Sequence, residues 1–225
     1  LDISKRTNMV ISGPNSEGYA NMALKLCPTF SPAVDGENIE LMPSWPTKKR
    51  IAVIAQSGGM GFSFYDRGRP KNLPFSYVIT TGNEACLESL DIVEYLIDSD
   101  EADIFLIFME DVKTPSKLSY VAEKALSAGK PIIVTKIGHS DAGIRAAASH
   151  TASLAGSYQI YKSIFERYGI IEGSDIEEIV DIAAGFVYFG DCPPSGKRVG
   201  IFTASGGGGG WMADSCASNG LEVPI

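Results

Sequence analysis

Histidine, cysteine and long apolar runs are all scarce in this chain, with two histidines and four cysteines among 225 residues. Cys27, Cys86, Cys192 and Cys216 are far apart and nowhere approach the C-x₂-C spacing of a zinc site. No metal centre is expected, and the thiols read as reduced. No apolar stretch nears the roughly 20 residues that span a bilayer, and Leu1–Arg6 lacks the apolar core of a secretory signal. No membrane association is expected, and the cytoplasm is the expected location. Basic charge is short too: 19 Lys and Arg against 27 Asp and Glu leave a net −8. That is the wrong sign for neutralising many phosphates, so no nucleic-acid partner is expected.

What is plentiful is glycine, at 24 residues, and it is placed in a repeat. Lys49-Arg50-Ile51-Ala52-Val53-Ile54-Ala55-Gln56-Ser57-Gly58-Gly59 returns as Lys197-Arg198-Val199-Gly200-Ile201-Phe202-Thr203-Ala204-Ser205-Gly206-Gly207, 148 positions on (57 to 205). The same offset aligns Asp66 with Asp214 and Leu73 with Leu221. Two related domains in tandem are expected, the second represented only by its opening. A first residue other than Met, and a last stretch Leu221–Ile225 that reads as the start of a strand, fit a piece of a longer chain.

Between the copies, strand and helix patterns alternate. Ile51–Ala55, Tyr77–Thr80, Ile104–Met109 and Ile132–Thr135 are short, apolar and bounded by turn residues, as in strands buried on both faces of a parallel sheet. Leu118, Val121, Ala122, Ala125 and Leu126 form a helical stripe behind Thr114 as N-cap and Pro115 at the first position. Leu154, Tyr158, Tyr161, Phe165 and Tyr168 form another that Gly169 ends. Ser174 and Glu177 have capping-box spacing before a third. The pattern predicts an α/β protein with a flavodoxin-like, doubly wound parallel sheet over 49–190, flanked by partial α/β domains. Residues 1–26 read as the end of a preceding domain, 27–48 as a linker rich in proline, and 197–225 as the start of a second flavodoxin-like domain.

Ligands of such sheets collect beyond the C-terminal strand ends, where four features fall. Gln56-Ser57-Gly58-Gly59 follows a strand and opens a helix, so its amides and the helix dipole offer an anion site. Ser205-Gly206-Gly207 is its copy. Glu110 leaves a very apolar strand and can orient an imidazole. Finally, His150 lies in a stretch of small residues, Ser140–Ser157, with Ser149 and Thr151 beside it. His139 lacks such flanks and reads as a bystander. Imidazole is a competent nucleophile toward phosphoryl groups, and Glu110 would fix its tautomer so that the opposite nitrogen attacks. Positioning and electrostatics dominate phosphoryl transfer, so this set suffices in kind.

With these residues in view, the chain resembles the NDP-forming acyl-CoA synthetases, the ADP-forming acetate–CoA ligase relatives of succinyl-CoA synthetase. The carrying stretches are Gly13-Pro14-Asn15-Ser16-Glu17-Gly18, Gln56-Ser57-Gly58-Gly59, Thr81-Gly82-Asn83-Glu84-Ala85, Glu110-Asp111, Ser149–Gly156 and Thr203–Gly208. The resemblance implies that 1–26 ends a Rossmann-like CoA-binding domain and that an ATP-grasp domain on the same or another chain binds ADP or ATP with Mg. It implies His150 as the phosphorylated residue, Glu110 as its hydrogen-bonding partner, and Gln56, Ser57, Gly58, Gly59, Ser205, Gly206 and Gly207 as the phosphate cradle. Gly82, Asn83, Glu84, Ser149 and Thr151 would edge the substrate, Asn15 and Ser16 would touch CoA, and the intact enzyme would be an oligomer. Ser16 stands where succinyl-CoA synthetase has cysteine, so no thiol chemistry is assigned there. The competing readings are a non-catalytic regulatory module of a protein acetyltransferase, which has no need of His150, and a flavin binder suggested by fold alone.

Overall fold

The computed structural model describes residues 2–35, 49–140, 143 and 158–224. Two compact units emerge, Leu1–Tyr188 and Phe189–Ile225. The first is built on six strands: β1 (Tyr19–Asn21), β2 (Ile51–Ala55), β3 (Phe75–Thr80), β4 (Ile104–Met109), β5 (Ile132–Lys136) and β6 (Ile171–Glu172). Their order is β1-β3-β2-β4-β5-β6. From β3 to β6 all pairs are parallel. Counted from β2, the parallel strands run in the 2-1-3-4-5 order of flavodoxin-like sheets, and the direction of winding reverses between β2 and β4.

Alternation along each strand divides the core in two. On one face Ala52, Ile54, Phe105, Ile107, Met109 and Val134 pack under helices α3 (Ser89–Asp98), α4 (Pro115–Ser127) and α5 (Tyr158–Tyr168). On the other, Ile51, Val53, Ala55, Leu106, Phe108 and Ile133 pack under α2 (Gly58–Gly68) and α6 (Ile176–Phe189). This two-sided burial is why β4 reads as an unbroken apolar run: all six of its residues are buried. Phe64 and Phe105, both wholly buried, contribute about 1.5–3 kcal/mol each. Among the described residues no helix is long and apolar enough to cross a membrane.

The structure departs from the sequence expectation in four places. Within 1–26, the short helix α1 (Asp2–Thr7) is followed by β1, which pairs antiparallel with β3 through Tyr19–Ile79 and Asn21–Tyr77. Part of the stretch expected to end another domain is thus an edge strand of this sheet. Strand β3 begins two residues early, at Phe75. The box at the start of α6 is shifted by one residue: Asp175 Oδ1 accepts from Glu178 N at 2.9 Å, and the Glu178 carboxylate accepts from Ser174 N and Oγ. Asp and Ser are both N-cap residues, and the helix phase selects Asp175. In the second unit the strand expected before Ser205 is reduced to a parallel bridge between Arg198 and Glu222, since a strand extends only where neighbours pair with it. Helix α7 (Gly206–Ser218) follows it. Of the 27–48 linker, the described part holds a single 3-10 turn at Pro32–Val34.

Candidate functional site

At the C-terminal edge of the sheet, where the winding reverses, lies a cleft of about 240 Å³. Asn15, Ser16 and Glu17 line it from the loop before β1, Gln56, Ser57, Gly58 and Gly59 from the β2–α2 turn, and Asn83 and Glu110 from the exits of β3 and β4, with Phe30 at its rim. Eight residues singled out in the sequence thereby meet in one cavity. Ser57 is the N-cap of α2 but makes no side-chain cap hydrogen bond. The first-turn amides that an α-helix leaves without intrahelical acceptors are not taken by that hydroxyl, the geometry by which helix starts in general can hold anions.

Gln56, expected among the phosphate contacts, lines the cleft and also braces the β4 exit. Its Oε1 accepts from Glu110 N at 2.6 Å and Asp111 N at 3.0 Å, and its Nε2 donates to Asp111 O at 2.7 Å. Both ends of the amide are committed to shaping the β4 exit. Ser16 is likewise committed: its hydroxyl donates to Thr80 O at 2.6 Å and accepts from Gly18 N at 3.1 Å, pinning its loop to β3. Asn15 remains at the cleft, with Nδ2 donating to Asn83 Oδ1 at 3.2 Å.

Gly82, Asn83 and Glu84 divide in role. Gly82 has φ +59°, and a Cβ there would lie 2.3 Å from Pro14 O, so only glycine lets the two loops touch. Asn83 N and Ala85 N donate to Pro14 O and Gly13 O, and Lys113 Nζ clamps the turn through Asn83 O and Glu84 O, each at 2.6 Å. Glu84, expected at the substrate edge, is turned inward and 3% exposed. Its carboxylate accepts from Thr81 Oγ1 and Ser89 N, both at 2.8 Å, which holds the turn onto α3.

Two side chains were missed in the sequence. Glu17 lies against the start of α2: a Cβ on Gly58 would sit 2.6 Å from Glu17 Cβ and 2.7 Å from its Oε2. The cleft therefore carries a second carboxylate besides Glu110. Lys136 ends β5 and is 3% exposed, with Nζ donating to Glu110 O at 2.7 Å and Ile137 O at 2.5 Å. Burial pushes its ammonium below the ordinary lysine range, against the pull of Asp111, Glu110 and Glu172. The signal in the sequence was a lysine between Thr135 and Ile137, at the end of an apolar run. Next to it Tyr161 Oη donates to Asp111 Oδ1 at 2.9 Å and accepts from Val112 N at 3.1 Å. Burial, then the Asp111 contact, pushes that phenol up.

His150, Ser149 and Thr151 lie outside the described residues. In the second unit Ser205 caps α7 by accepting from Gly208 N at 3.1 Å, and Gly206 and Gly207 form the first turn. This copy differs from the first, where the N-cap hydroxyl makes no such bond.

Known proteins resemble this chain in sequence and in fold. Residues 48–186 match the family described as succinyl-CoA ligase like flavodoxin domain. Over 223 residues the chain is 35% identical to an ADP-forming acetate–CoA ligase I of Archaeoglobus fulgidus, covering 99% of this chain and 30% of that protein. It is 34% identical to the alpha subunit of an ADP-forming acetate–CoA ligase II of Pyrococcus furiosus, covering 99% of this chain and 45% of that subunit. A solved structure of Ca. Korarchaeum cryptofilum dinucleotide forming acetyl-coenzyme A synthetase 1, in complex with phosphate and ADP, superposes with a TM-score of 0.80 at 30% identity over 98% of this chain and 45% of that one. The chain thus spans less than half the length of these relatives.

Proposed function

The chain belongs to the succinyl-CoA ligase like flavodoxin domain family, and from that premise we propose that it is the phosphoryl-handling part of an NDP-forming acyl-CoA synthetase. The reaction is acyl-CoA + phosphate + ADP ⇌ carboxylic acid + CoA + ATP. The supporting observation is the meeting of the Ser57–Gly59 helix start with Glu110 in one cleft at the sheet's switch point.

Phosphate held on the first-turn amides of α2 attacks the thioester carbonyl. The C–S bond breaks, CoA leaves as the thiolate, and an acyl phosphate forms. His150 then attacks phosphorus and the P–O bond to the acyl group breaks, releasing the carboxylate. With one imidazole N–H given to Glu110, the other nitrogen keeps its lone pair for this attack. ADP takes the phosphoryl group from His150 on an ATP-grasp domain or subunit that also holds Mg. Ser205, Gly206 and Gly207 offer a second helix start for the same phosphoryl group, and Ser149 and Thr151 flank the histidine. CoA enters from the side of Asn15, with a Rossmann-like domain providing most of its contacts. The enzyme acts in the cytoplasm as an oligomer, in keeping with four free thiols.

ATP formation by the full-length protein from acyl-CoA, phosphate and ADP tests this reading. Glu110→Gln is expected to lower the rate by about 100-fold or more; an unchanged rate contradicts the role of Glu110.

A further inference from the structure

We propose that Lys136 is a positioning residue for phosphoryl transfer, tying the exit of β4, which carries Glu110, to the root of the segment that leads to His150. The inference rests on the reading of Glu110 and His150 given above. Glu110 is the first residue past β4 and Ile137 the first past β5. Lys136 Nζ donates to the carbonyls of both, and it lies 4.7 Å from the centre of the Tyr161 ring.

From Glu110 N to Val112 N every backbone polar group is held by a side chain from elsewhere. Gln56 holds both amides of Glu110 and Asp111 and the Asp111 carbonyl, Lys136 the Glu110 carbonyl, and Tyr161 the Val112 amide. Three elements, the β2 exit, β5 and α5, thus converge on one short stretch of chain. A strand exit needs no such support to satisfy its backbone, since water serves at the edge of a sheet. A buried ammonium is costly to maintain. Its donors are directed at two carbonyls and its remaining side at an aromatic face, so it is committed as neither a phosphate ligand nor a nucleophile. What remains is geometry: it fixes the distance between the acid and the origin of the histidine segment. Among the described residues, the charged and titratable groups around it are Glu110 and Asp111 beyond β4, Tyr161 on α5, Glu172 on β6 with Tyr158 bonded to it, and His139 beyond β5, whose Nδ1 is 3.4 Å from Lys136 O. Burial holds the ammonium below the ordinary lysine range, so its proton leaves within reach of an alkaline titration.

The test is the rate at which the full-length protein incorporates radiolabelled inorganic phosphate in the presence of acyl-CoA, with CoA affinity and thermal unfolding measured in parallel. Lys136→Met is expected to slow incorporation about 10- to 100-fold, the scale of a misplacement near 1 Å, with CoA affinity unchanged and unfolding still cooperative. Lys136→Arg recovers part of the loss. In the wild type the incorporation rate falls on the alkaline side below the ordinary lysine pKa, a limb that is absent in Lys136→Met and readable even if that variant does not fold. Label that survives in His150→Ala overturns the parent reading and this role with it. Label lost in His150→Ala but formed at the wild-type rate in Lys136→Met overturns this role alone, as does a wild-type rate that stays flat through the alkaline range.

Discussion

Gln56 and Glu110 are joined across the switch point of the sheet: Gln56 Oε1 accepts from Glu110 N at 2.6 Å, while Gln56 Nε2 reaches on to Asp111 O at 2.7 Å. One amide side chain thereby joins the exits of β2 and β4, the two strands between which ligands of this fold gather. Gln56→Leu strips partners from these backbone groups and is expected to cost about 1–3 kcal/mol of stability. It should lower phosphate incorporation as well, measured beside a denaturant melt. A variant with unchanged melting and unchanged incorporation contradicts the bridging role.

Gly58 and Gly59 make opposite predictions although they are adjacent in the same turn. A methyl on Gly58 meets Glu17 Cβ at 2.6 Å, whereas one on Gly59 meets nothing within 4 Å. Gly58→Ala must displace Glu17 Cβ and its carboxylate and is expected to destabilise by about 1–3 kcal/mol. Gly59→Ala leaves stability unchanged or raises it by up to about 1 kcal/mol, yet projects into the cleft and weakens phosphate-dependent turnover. Equal melting of the two variants refutes the geometry.

Glu17 places a carboxylate at the positive end of α2, where a phosphate would also bind. Glu17→Gln is expected to cost the helix roughly 0.3–1 kcal/mol and to lower the KM for phosphate, because a competing negative charge is gone. Phosphate titration of the variant checks the sign; a raised KM shows that Glu17 assists the anion instead.

Much of the fold was legible because burial on both faces leaves a plain signal. Strands Ile51–Ala55 and Ile104–Met109 lie where their apolar runs are, and α4 starts at Pro115 behind Thr114. The edge strand β1 was not legible: three residues hold no period, and what makes Tyr19–Asn21 a strand is its pairing to β3. In the site, the turn and acid positions could be read from their place after strands, but the tasks of Gln56, Ser16 and Glu84 could not. Each is set by a partner 64 residues away for Ser16 and 54 for Gln56, and for Glu84 by burial within its own turn. Lys136 escaped notice because nothing in the sequence says which carbonyls its ammonium will meet.

Lys136 also makes a prediction about stability alone. Its pKa is lowered on folding, so the unfolded chain holds this proton at pH values where the folded chain has released it. The contribution of Lys136 to stability therefore rises with pH between its folded value and its ordinary 10.5. Lys117 and Lys124, whose pKa values are raised, contribute with the opposite slope and at higher pH. The difference in unfolding free energy between wild type and Lys136→Met should therefore grow in favour of the wild type as pH climbs toward 10.5. A difference independent of pH contradicts the buried, charged lysine.

The roles proposed for Glu110 and Lys136 both depend on His150 as the phosphoryl carrier. Full-length protein incubated with acyl-CoA and labelled phosphate, then digested and sequenced by mass spectrometry, tests it most directly. An acid-labile, base-stable phosphate on residue 150, absent from His150→Ala, is expected. An undiminished label in His150→Ala, or a label mapped to any other residue, contradicts it.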